Sequence, residues 1–224
     1  MNSSPSQTAI LLGATGLIGS HCLQVLESTN VFSSIIDAGR RPSEFGKSKT
    51  TFVPTDFENA SALKNTIKGD VIFCCLGTTH AKAGSKEAFR KVDFEYVFNA
   101  ARAGQENGVK HFFLVSSMGA DPASAINYSK VKGEIEAAVS RMDFESVHIF
   151  RPSMLLGERI EKRPGEKIYQ KLASFFSFLL VGPLKNYAAI SAETVAKAMV
   201  TKSLNPGKGV FLYLSGEIAE IGNV

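Results

Sequence analysis

The chain has 224 residues, of which 44% are hydrophobic and 21% are charged, and its formal net charge is +4. These values are ordinary for one soluble globular domain with a sizeable core. No run of five or more Lys or Arg occurs, so the charge gives no case for nucleic-acid binding.

Apolar runs and amphipathic segments alternate along the first two thirds of the chain. The strand pattern occurs at residues 8–12, 34–38, 51–54, 71–76, 111–115 and 146–150. Helical spacing of apolar residues occurs at 17–28, 60–68, 86–107 and 128–142. Strands that are separated by helical crossovers predict an α/β fold with a Rossmann-like, doubly wound parallel sheet.

Beyond residue 151 the pattern loosens. A charged loop at 158–166 precedes the apolar residues 168–184, and a helix at 192–203 and a strand at 210–214 follow. The apolar run is too short for a bilayer, which needs about 20 residues. It predicts a buried or interface helix, with contact to a membrane surface as the alternative. We expect residues 1–224 to form a single domain in which about 152–224 build a small C-terminal lid on the substrate side.

The cysteines and the first residues limit the class of protein further. Cys22, Cys74 and Cys75 have neither a disulfide-framework spacing nor a metal-ligand spacing. The first seven residues are polar and lack the apolar core of a signal peptide. The sequence therefore predicts no metal site, no transmembrane segment and a cytoplasmic location.

A glycine-rich turn follows the first strand and precedes an amphipathic helix. Its glycines are Gly13, Gly16 and Gly19. They permit, in that order, a tight turn, close approach of a phosphate, and close packing of helix on strand. The N–H groups at the helix start and the positive end of its dipole then face the pyrophosphate of a dinucleotide. The other residues that offer N–H groups on this turn are Thr15, Leu17 and Ile18. A plain strand–helix turn is the alternative.

Two arginines, Arg40 and Arg41, follow the second strand, where such folds recognise the adenosine ribose. An acidic residue there favours NAD, whereas arginine pairs with a 2′-phosphate. The arginines therefore predict NADP(H), with solvated loop charges as the alternative and the nearby Asp37 as an NAD-type feature. Asp56, after the third strand, is either a contact to the adenine amino group or a helix N-cap.

A Ser-Tyr-Lys set follows the fifth strand. This strand ends in Ser116 and Ser117, and a Y-x-x-x-K motif places Tyr128 and Lys132 on one helix face. A nearby ammonium favours the phenolate of tyrosine, which then exchanges a proton with a substrate hydroxyl or carbonyl. Lys132 also reaches the nicotinamide ribose, and a serine hydroxyl orients the substrate oxygen. Ser117 is the first choice for that role and Ser116 the second. An amphipathic helix residue without chemistry is the alternative for Tyr128.

Together these residues resemble the short-chain dehydrogenase/reductase superfamily in its atypical, NmrA-like branch. The likeness is closer to the Tat-interacting oxidoreductase-like family, and it covers about residues 9–200. The segments that carry it are FCCLGTT at 73–79, KAG at 82–84, VD at 92–93 through Tyr96, VSSMGAD, YSKVKGEIEA, FRPSMLLGER and RPGE.

The resemblance implies an NAD(P)-binding Rossmann fold that takes NADP(H). It implies residues 15–18 at the phosphates, Arg40 and Arg41 at the 2′-phosphate, and Tyr128 with Lys132 as the catalytic pair. It further suggests cofactor contacts near the adenosine or nicotinamide ribose and at the nicotinamide end: these are Leu76, Gly77, Leu155 and Arg163. The turn GATGLIG lacks the polar residues that the metazoan members carry after the second glycine, and their long N-terminal extension is absent.

The sequence thus predicts an NADP(H)-dependent oxidoreductase that acts on an unidentified carbonyl or alcohol substrate. The alternative is a non-catalytic NADP(H)-binding redox sensor that regulates a protein partner, and a weaker one is an epimerase-like enzyme. The sensor needs only the glycine turn and the arginines, whereas the enzyme also needs Tyr128 and Lys132. A monomer and a homodimer fit the sequence equally well.

Overall fold

A computed structural model describes residues 6–156 and 186–223. Seven strands form one sheet in the order β3-β2-β1-β4-β5-β6-β9, and every neighbouring pair is parallel. The strands are β1 Gln7–Leu12, β2 Phe32–Gly39, β3 Thr50–Pro54, β4 Val71–Cys74, β5 His111–Val115, β6 Ser146–Arg151 and β9 Gly209–Leu214. Two short strands, β7 Leu155–Leu156 and β8 Ile190–Ser191, pair separately. The predicted doubly wound parallel sheet is confirmed.

Within the described residues, helices lie at each segment where the sequence predicted one, with bounds that differ by a few residues, and two short helices at 80–83 and 215–222 were not predicted. The helices are α1 Leu17–Ser28, α2 Ala60–Thr66, α3 His80–Ala83, α4 Lys86–Arg90, α5 Val97–Glu106, α6 Asn127–Val139, α7 Ala192–Ser203 and α8 Ser215–Gly222. One π-helical turn, Lys91–Tyr96, joins α4 to α5, so the segment predicted as one helix at 86–107 is interrupted. Within residues 6–156 and 186–223, every helix is too short or too polar to cross a bilayer.

Successive side chains along a strand point to opposite faces of the sheet, and both faces are buried. On β5, Phe113 packs with α1, α7 and α8 on one face, whereas Phe112 and Leu114 pack with α2, α5 and α6 on the other. Each face removes large apolar side chains from water, which is the main stabilising contribution in such a domain. The sheet therefore forms a rigid platform whose strand ends hold the loops.

The C-terminal residues that the structure describes belong to the main sheet and to the helical layer that packs on it. Strand β9 pairs with β6 at the sheet edge, and α7 packs on α1 across the same face. The expected lid is thus only partly within the described structure. The charged loop at 158–166, with Arg163, and the apolar segment at 168–184 lie outside the described residues.

A histidine lies in the core beside the sheet edge. His148 on β6 is 1% exposed and stacks on Phe113, with 4.3 Å between ring centroids. Its Nδ1 lies 3.0 Å from the Tyr213 hydroxyl and its Nε2 lies 3.1 Å from Ser146 Oγ. Burial lowers the pKa of His148 from 6.5 to about 4, because the core disfavours the charged imidazolium. The folded protein therefore holds a neutral imidazole here.

This burial predicts a loss of stability in mild acid. The unfolded chain binds a proton at His148 near pH 6.5, whereas the folded chain resists it until about pH 4. The free energy of unfolding is therefore unaffected by His148 above pH 6.5 and falls as the pH drops toward 4, because only the unfolded chain binds the proton. The total loss is at most about 3 kcal/mol. Urea unfolding across this range should show a smaller decline for His148→Gln than for the unmodified protein. Identical pH dependence of the two unfolding free energies would contradict the assignment.

Candidate functional site

The described loops that carry predicted site residues leave the same edge of the sheet. Because every strand of the main sheet is parallel, the carboxyl ends of β1, β2, β4, β5 and β6 lie side by side. The chain moves outward from β1 to β3 and then reverses to β4, which pairs with the other side of β1. Open α/β sheets bind ligands in the crevice at such a reversal point.

The glycine turn lies at this crevice, and its shape requires glycine. Gly13 has φ +84°, and a Cβ there would lie 2.8 Å from the carbonyl oxygen of Cys75, just after β4. The N–H of Gly16 donates to the Gly13 oxygen at 2.9 Å. A Cβ on Gly19 would lie 2.0 Å from that same oxygen. Two of the roles predicted from the sequence, tight turn and close helix packing, are therefore seen directly.

The start of α1 presents uncapped backbone N–H groups. Gly16 is the N-cap residue, no side chain caps it, and the first turn carries no acidic residue. Thr15 and Gly16 are exposed, and Leu17 is half-buried. The side chain of Ile18 is in the core, so only its backbone is available to a ligand. Such a helix start, with the positive end of the dipole, favours an anion.

The two arginines lie just after β2, a strand that pairs with β1. Arg40 and Arg41 are both exposed, and neither has an ion pair to another residue within the described ranges. Asp37 lies inside β2, is 2% exposed, and its carboxylate accepts the Ser43 N–H at 3.0 Å. Burial raises the pKa of Asp37. Asp37 therefore shapes the arginine loop, and the arginines are the groups at its surface.

Asp56 does not cap a helix. Its carboxylate accepts the Glu58 N–H at 2.9 Å in a local turn, while Asn59 caps α2 by accepting the Ala62 N–H at 3.0 Å. The helix N-cap interpretation of Asp56 is therefore wrong, because α2 begins at Ala60 and Asn59 is the residue directly before it. Asp56 remains exposed beyond β3.

The central feature of the crevice is a buried ion pair. Lys132 Nζ lies 2.8 Å from Asp93 Oδ1, and the two side chains are 7% and 0% exposed. The contact is an ion pair rather than a well-aligned hydrogen bond. A Cβ on Gly77 would lie 3.3 Å from Asp93 Oδ1 and 3.6 Å from Lys132 Nζ. Gly77, after β4 and Leu76, therefore lies directly against the ion pair.

Tyr128 begins the same face of α6 one turn earlier. Its ring packs against Phe89 with 5.4 Å between centroids, and Phe89 packs against His80 with 4.3 Å. Tyr128 is half-buried. The aromatic wall fixes the plane of the phenol ring and leaves it close enough to act electrostatically on Lys132.

Two further contacts fix the surroundings of this pair. Arg151 Nε lies 3.0 and 3.1 Å from the carboxylate oxygens of Glu136, one turn after Lys132, and this pair fastens α6 to the end of β6. Ser116 is 5% exposed, and its Oγ has no hydrogen-bond partner among the described residues. Ser117 Oγ donates a long 3.3 Å bond to the Met118 oxygen. Both serines lie at the carboxyl end of β5.

At the far end of the crevice, the loop after β6 reaches Leu155 on β7. Leu155 is half-buried and pairs with Ile190, and the Met118 N–H donates to the Pro152 oxygen at 3.0 Å. The structure thus brings the loops after β1, β4, β5 and β6 to one crevice edge. It places the arginines after β2, which is the next strand in the sheet beyond β1.

Asp93 is the residue that sequence reasoning missed as a functional candidate. The signal was present: Asp93 lies four residues from both Phe89 and Val97, two buried apolar residues of the same helical segment. A carboxylate on the apolar stripe of a helix needs a buried partner. The partner, Lys132, lies 39 positions later in the chain.

Comparisons with known proteins agree with this geometry. A sequence model of a family described as NAD(P)H-binding matches residues 13–205. Protein HTATIP2 of Rattus norvegicus is 38% identical over 208 residues, covering 91% of this chain and 84% of its own. The mitochondrial protein FMP52 of Candida albicans is 37% identical over 205 residues, covering 88% and 90%.

Solved structures show the same fold at low identity. The enzyme WbmH of Bordetella bronchiseptica in complex with NAD+ has a TM-score of 0.71 and 16% identity, covering 97% of this chain and 80% of its own. The oxidoreductase ylbE of Lactococcus lactis has a TM-score of 0.68 and 17% identity, covering 96% and 95%.

The relatives also correct the predicted location and settle the family. The FMP52 proteins of Candida albicans, Coccidioides immitis and Aspergillus niger are all named mitochondrial. The cytoplasmic location predicted from the sequence is therefore wrong. The family model covers most of the chain, and the relatives exceed 30% identity over nearly its whole length. The chain belongs to the NAD(P)H-binding, Rossmann-fold family that includes HTATIP2 and FMP52.

Proposed function

We propose that this protein is an NADP(H)-dependent oxidoreductase of the short-chain dehydrogenase/reductase type, acting on a carbonyl or alcohol substrate. The observation that carries the proposal is the ammonium of Lys132. It is buried, lies one helical turn from Tyr128, and lies against Gly77 in the loop after β4, a strand that pairs with β1.

The residues at the crevice fit a dinucleotide. The uncapped helix start at Leu17 and Ile18 suits the pyrophosphate, and the close approach at Gly13 leaves no space that a side chain could fill. Arg40 and Arg41 suit a 2′-phosphate, because guanidinium pairs with phosphate in a bidentate fashion. The bound cofactor supplies or accepts the hydride.

The chain's own part in the reaction is proton transfer and orientation. Tyr128 Oη exchanges a proton with the substrate oxygen, and the ammonium of Lys132 lies one helical turn away on the same helix. Ser117 or Ser116 holds the substrate oxygen by a hydrogen bond. The unpartnered Oγ of Ser116 supports its place in this set, because buried hydroxyl groups seek a partner.

Arg40 should carry much of the preference for NADPH over NADH. Arg40→Ala removes an exposed guanidinium without touching the fold, since its side chain makes no ion pair within the described ranges. We expect the ratio of NADPH to NADH affinity to fall by roughly tenfold, the worth of one charge-assisted contact of about 1.5 kcal/mol. Isothermal titration of both cofactors measures this ratio.

Lys47→Ala is the matched control for Arg40→Ala, because Lys47 is an exposed cation of the same loop that is not assigned to the phosphate. Its ratio of affinities should stay unchanged. If the unmodified protein binds NADPH and NADH equally, the NADP(H) assignment is wrong.

The activity itself is tested with a panel of aldehydes and ketones and NADPH oxidation as the readout. Turnover of at least one carbonyl class, with loss in the Lys132→Met variant, supports the oxidoreductase. No turnover across aliphatic, aromatic and cyclic carbonyls, with NADPH bound, rejects it.

One observation favours a second function, a non-catalytic NADP(H) sensor. The charge of Lys132 is compensated by a buried carboxylate, so less of its field reaches Tyr128 than an unpaired ammonium would supply. A sensor would bind NADPH through the glycine turn and change its affinity for a protein partner. No turnover across the carbonyl panel, combined with tight NADPH binding, would select this function.

A further inference from the structure

The π-helical turn Lys91–Tyr96 holds one buried residue, Asp93. A π-helical turn is rare and costs favourable hydrogen-bond geometry, and it is frequent at functional sites. Here it interrupts an otherwise continuous helix and directs a carboxylate into the protein. Asp93 is 1% exposed, where a carboxylate is unfavourable without partners.

Each carboxylate oxygen of Asp93 contacts a different group inside the protein. Oδ1 lies 2.8 Å from Lys132 Nζ, and Oδ2 accepts the backbone N–H of Thr78 at 2.8 Å. Thr78 follows Gly77 in the loop after β4. One carboxylate therefore links three elements: the π-helical turn, the loop after β4 and helix α6.

We propose that Asp93 is a positioning residue that keeps the Lys132 side chain charged and fixed beneath Gly77. This inference rests on the proposed function, because it assigns a role in preparing Lys132 for the cofactor ribose and for Tyr128. It does not make Asp93 a catalytic residue, since its oxygens contact Lys132 and the Thr78 N–H within the protein.

The charges around Lys132 support this role. Its ammonium faces Asp93 from the π-helical turn, Tyr128 from its own helix and Cys74 from β4. Farther along α6, Glu136 is already paired with Arg151. Burial is the largest influence and acts to lower the pKa of Lys132, but the combined attraction of Asp93, Tyr128 and Cys74 outweighs it, so that the pKa is raised.

Without the charge of Asp93, burial should lower the pKa of Lys132. The Asp93→Asn variant keeps the size of the side chain and an oxygen that accepts the Thr78 N–H, but it removes the negative charge. The Nζ signal of Lys132 in ¹⁵N NMR, assigned by its absence in Lys132→Met, reports the protonation state directly. We expect Lys132 to lose its proton at a pH lower by about one unit or more in Asp93→Asn than in the unmodified protein.

Glu58→Gln is the matched control. Glu58 pairs with Lys91 on the same π-helical turn at 2.8 Å, but both side chains are largely exposed. This variant should leave the Lys132 titration unchanged. In an active enzyme, the alkaline limb of the pH–rate profile should move to lower pH in Asp93→Asn and stay in place in Glu58→Gln.

The outcomes separate this inference from the proposed function. An unchanged Lys132 titration in Asp93→Asn overturns the inference, whether or not the protein turns over a carbonyl. A shifted titration in a protein without turnover supports the inference and rejects the enzyme. If Asp93→Asn fails to fold, the double variant Asp93→Asn/Lys132→Met removes both charges and should restore folding. Failure of the double variant to fold would also overturn it.

Discussion

Replacing Tyr128 by Phe should lower kcat by about 10²- to 10⁴-fold while NADPH affinity stays nearly unchanged. The loss is that of a general acid–base group, which contributes in this range. The ring itself packs against Phe89 at 5.4 Å between centroids, and Phe retains this contact. Because only the hydroxyl is removed, the substitution separates proton transfer from binding. Steady-state kinetics and a cofactor titration on the same preparation measure the two effects.

Tyr96→Phe is the control for this experiment. The Tyr96 hydroxyl donates to Glu58 at 2.9 Å on the exposed side of the π-helical turn, and its ring packs on Phe57. Losing this hydroxyl should leave kcat within the range of the unmodified protein. Full activity of Tyr128→Phe would show that another group transfers the proton.

Replacing Gly13 by Ala should cause a large loss of cofactor affinity. The residue has φ +84°, and its new Cβ would lie 2.8 Å from the Cys75 oxygen. The left-handed backbone costs about 1–2 kcal/mol, and the close contact adds about 1–3 kcal/mol. Displacement of the turn should weaken NADPH binding by about tenfold or more, since each 1.4 kcal/mol is tenfold.

Gly108→Ala isolates the backbone part of this effect. Gly108 has φ +77° after α5, and a Cβ there meets nothing within 4 Å. It should lose about 1–2 kcal/mol of stability and no NADPH affinity. Thermal unfolding and cofactor titration of the two variants, side by side, check this. Equal affinities of Gly13→Ala and the unmodified protein would remove the glycine turn from the cofactor site.

The parts of the fold that the sequence predicted are those governed by local rules. The glycine turn could be located because its three glycines lie between an apolar strand and an amphipathic helix. The structure shows why glycine is needed, since a Cβ on Gly13 or Gly19 would meet backbone atoms. The strands could be located because an apolar run such as residues 71–74 is buried on both faces of a parallel sheet. In each case, the residues that make up the signal lie within a few positions of one another in the chain.

The features that the sequence did not predict depend on distant partners. Asp93 makes sense only beside Lys132, and their contact requires the π-helical turn and α6 to be in place. The cap of α2 was misplaced because Asp56 and Asn59 both suit an N-cap, and only the backbone selects Asn59. The pairing of β9 with β6 likewise depends on the whole sheet.

The predicted location failed for a different reason. It rested on the polar character of the first seven residues, which does not separate the cytoplasm from the mitochondrion. The relatives named mitochondrial supplied the information that the residues did not.

A crystal structure of the complex with NADPH tests the central claim most directly. We expect the pyrophosphate at the N–H groups of Leu17 and Ile18, the 2′-phosphate within hydrogen-bond distance of Arg40 or Arg41, and the nicotinamide ring beside Tyr128 and Lys132. A cofactor bound away from the glycine turn, or a 2′-phosphate that points into solvent without either arginine, would contradict the account.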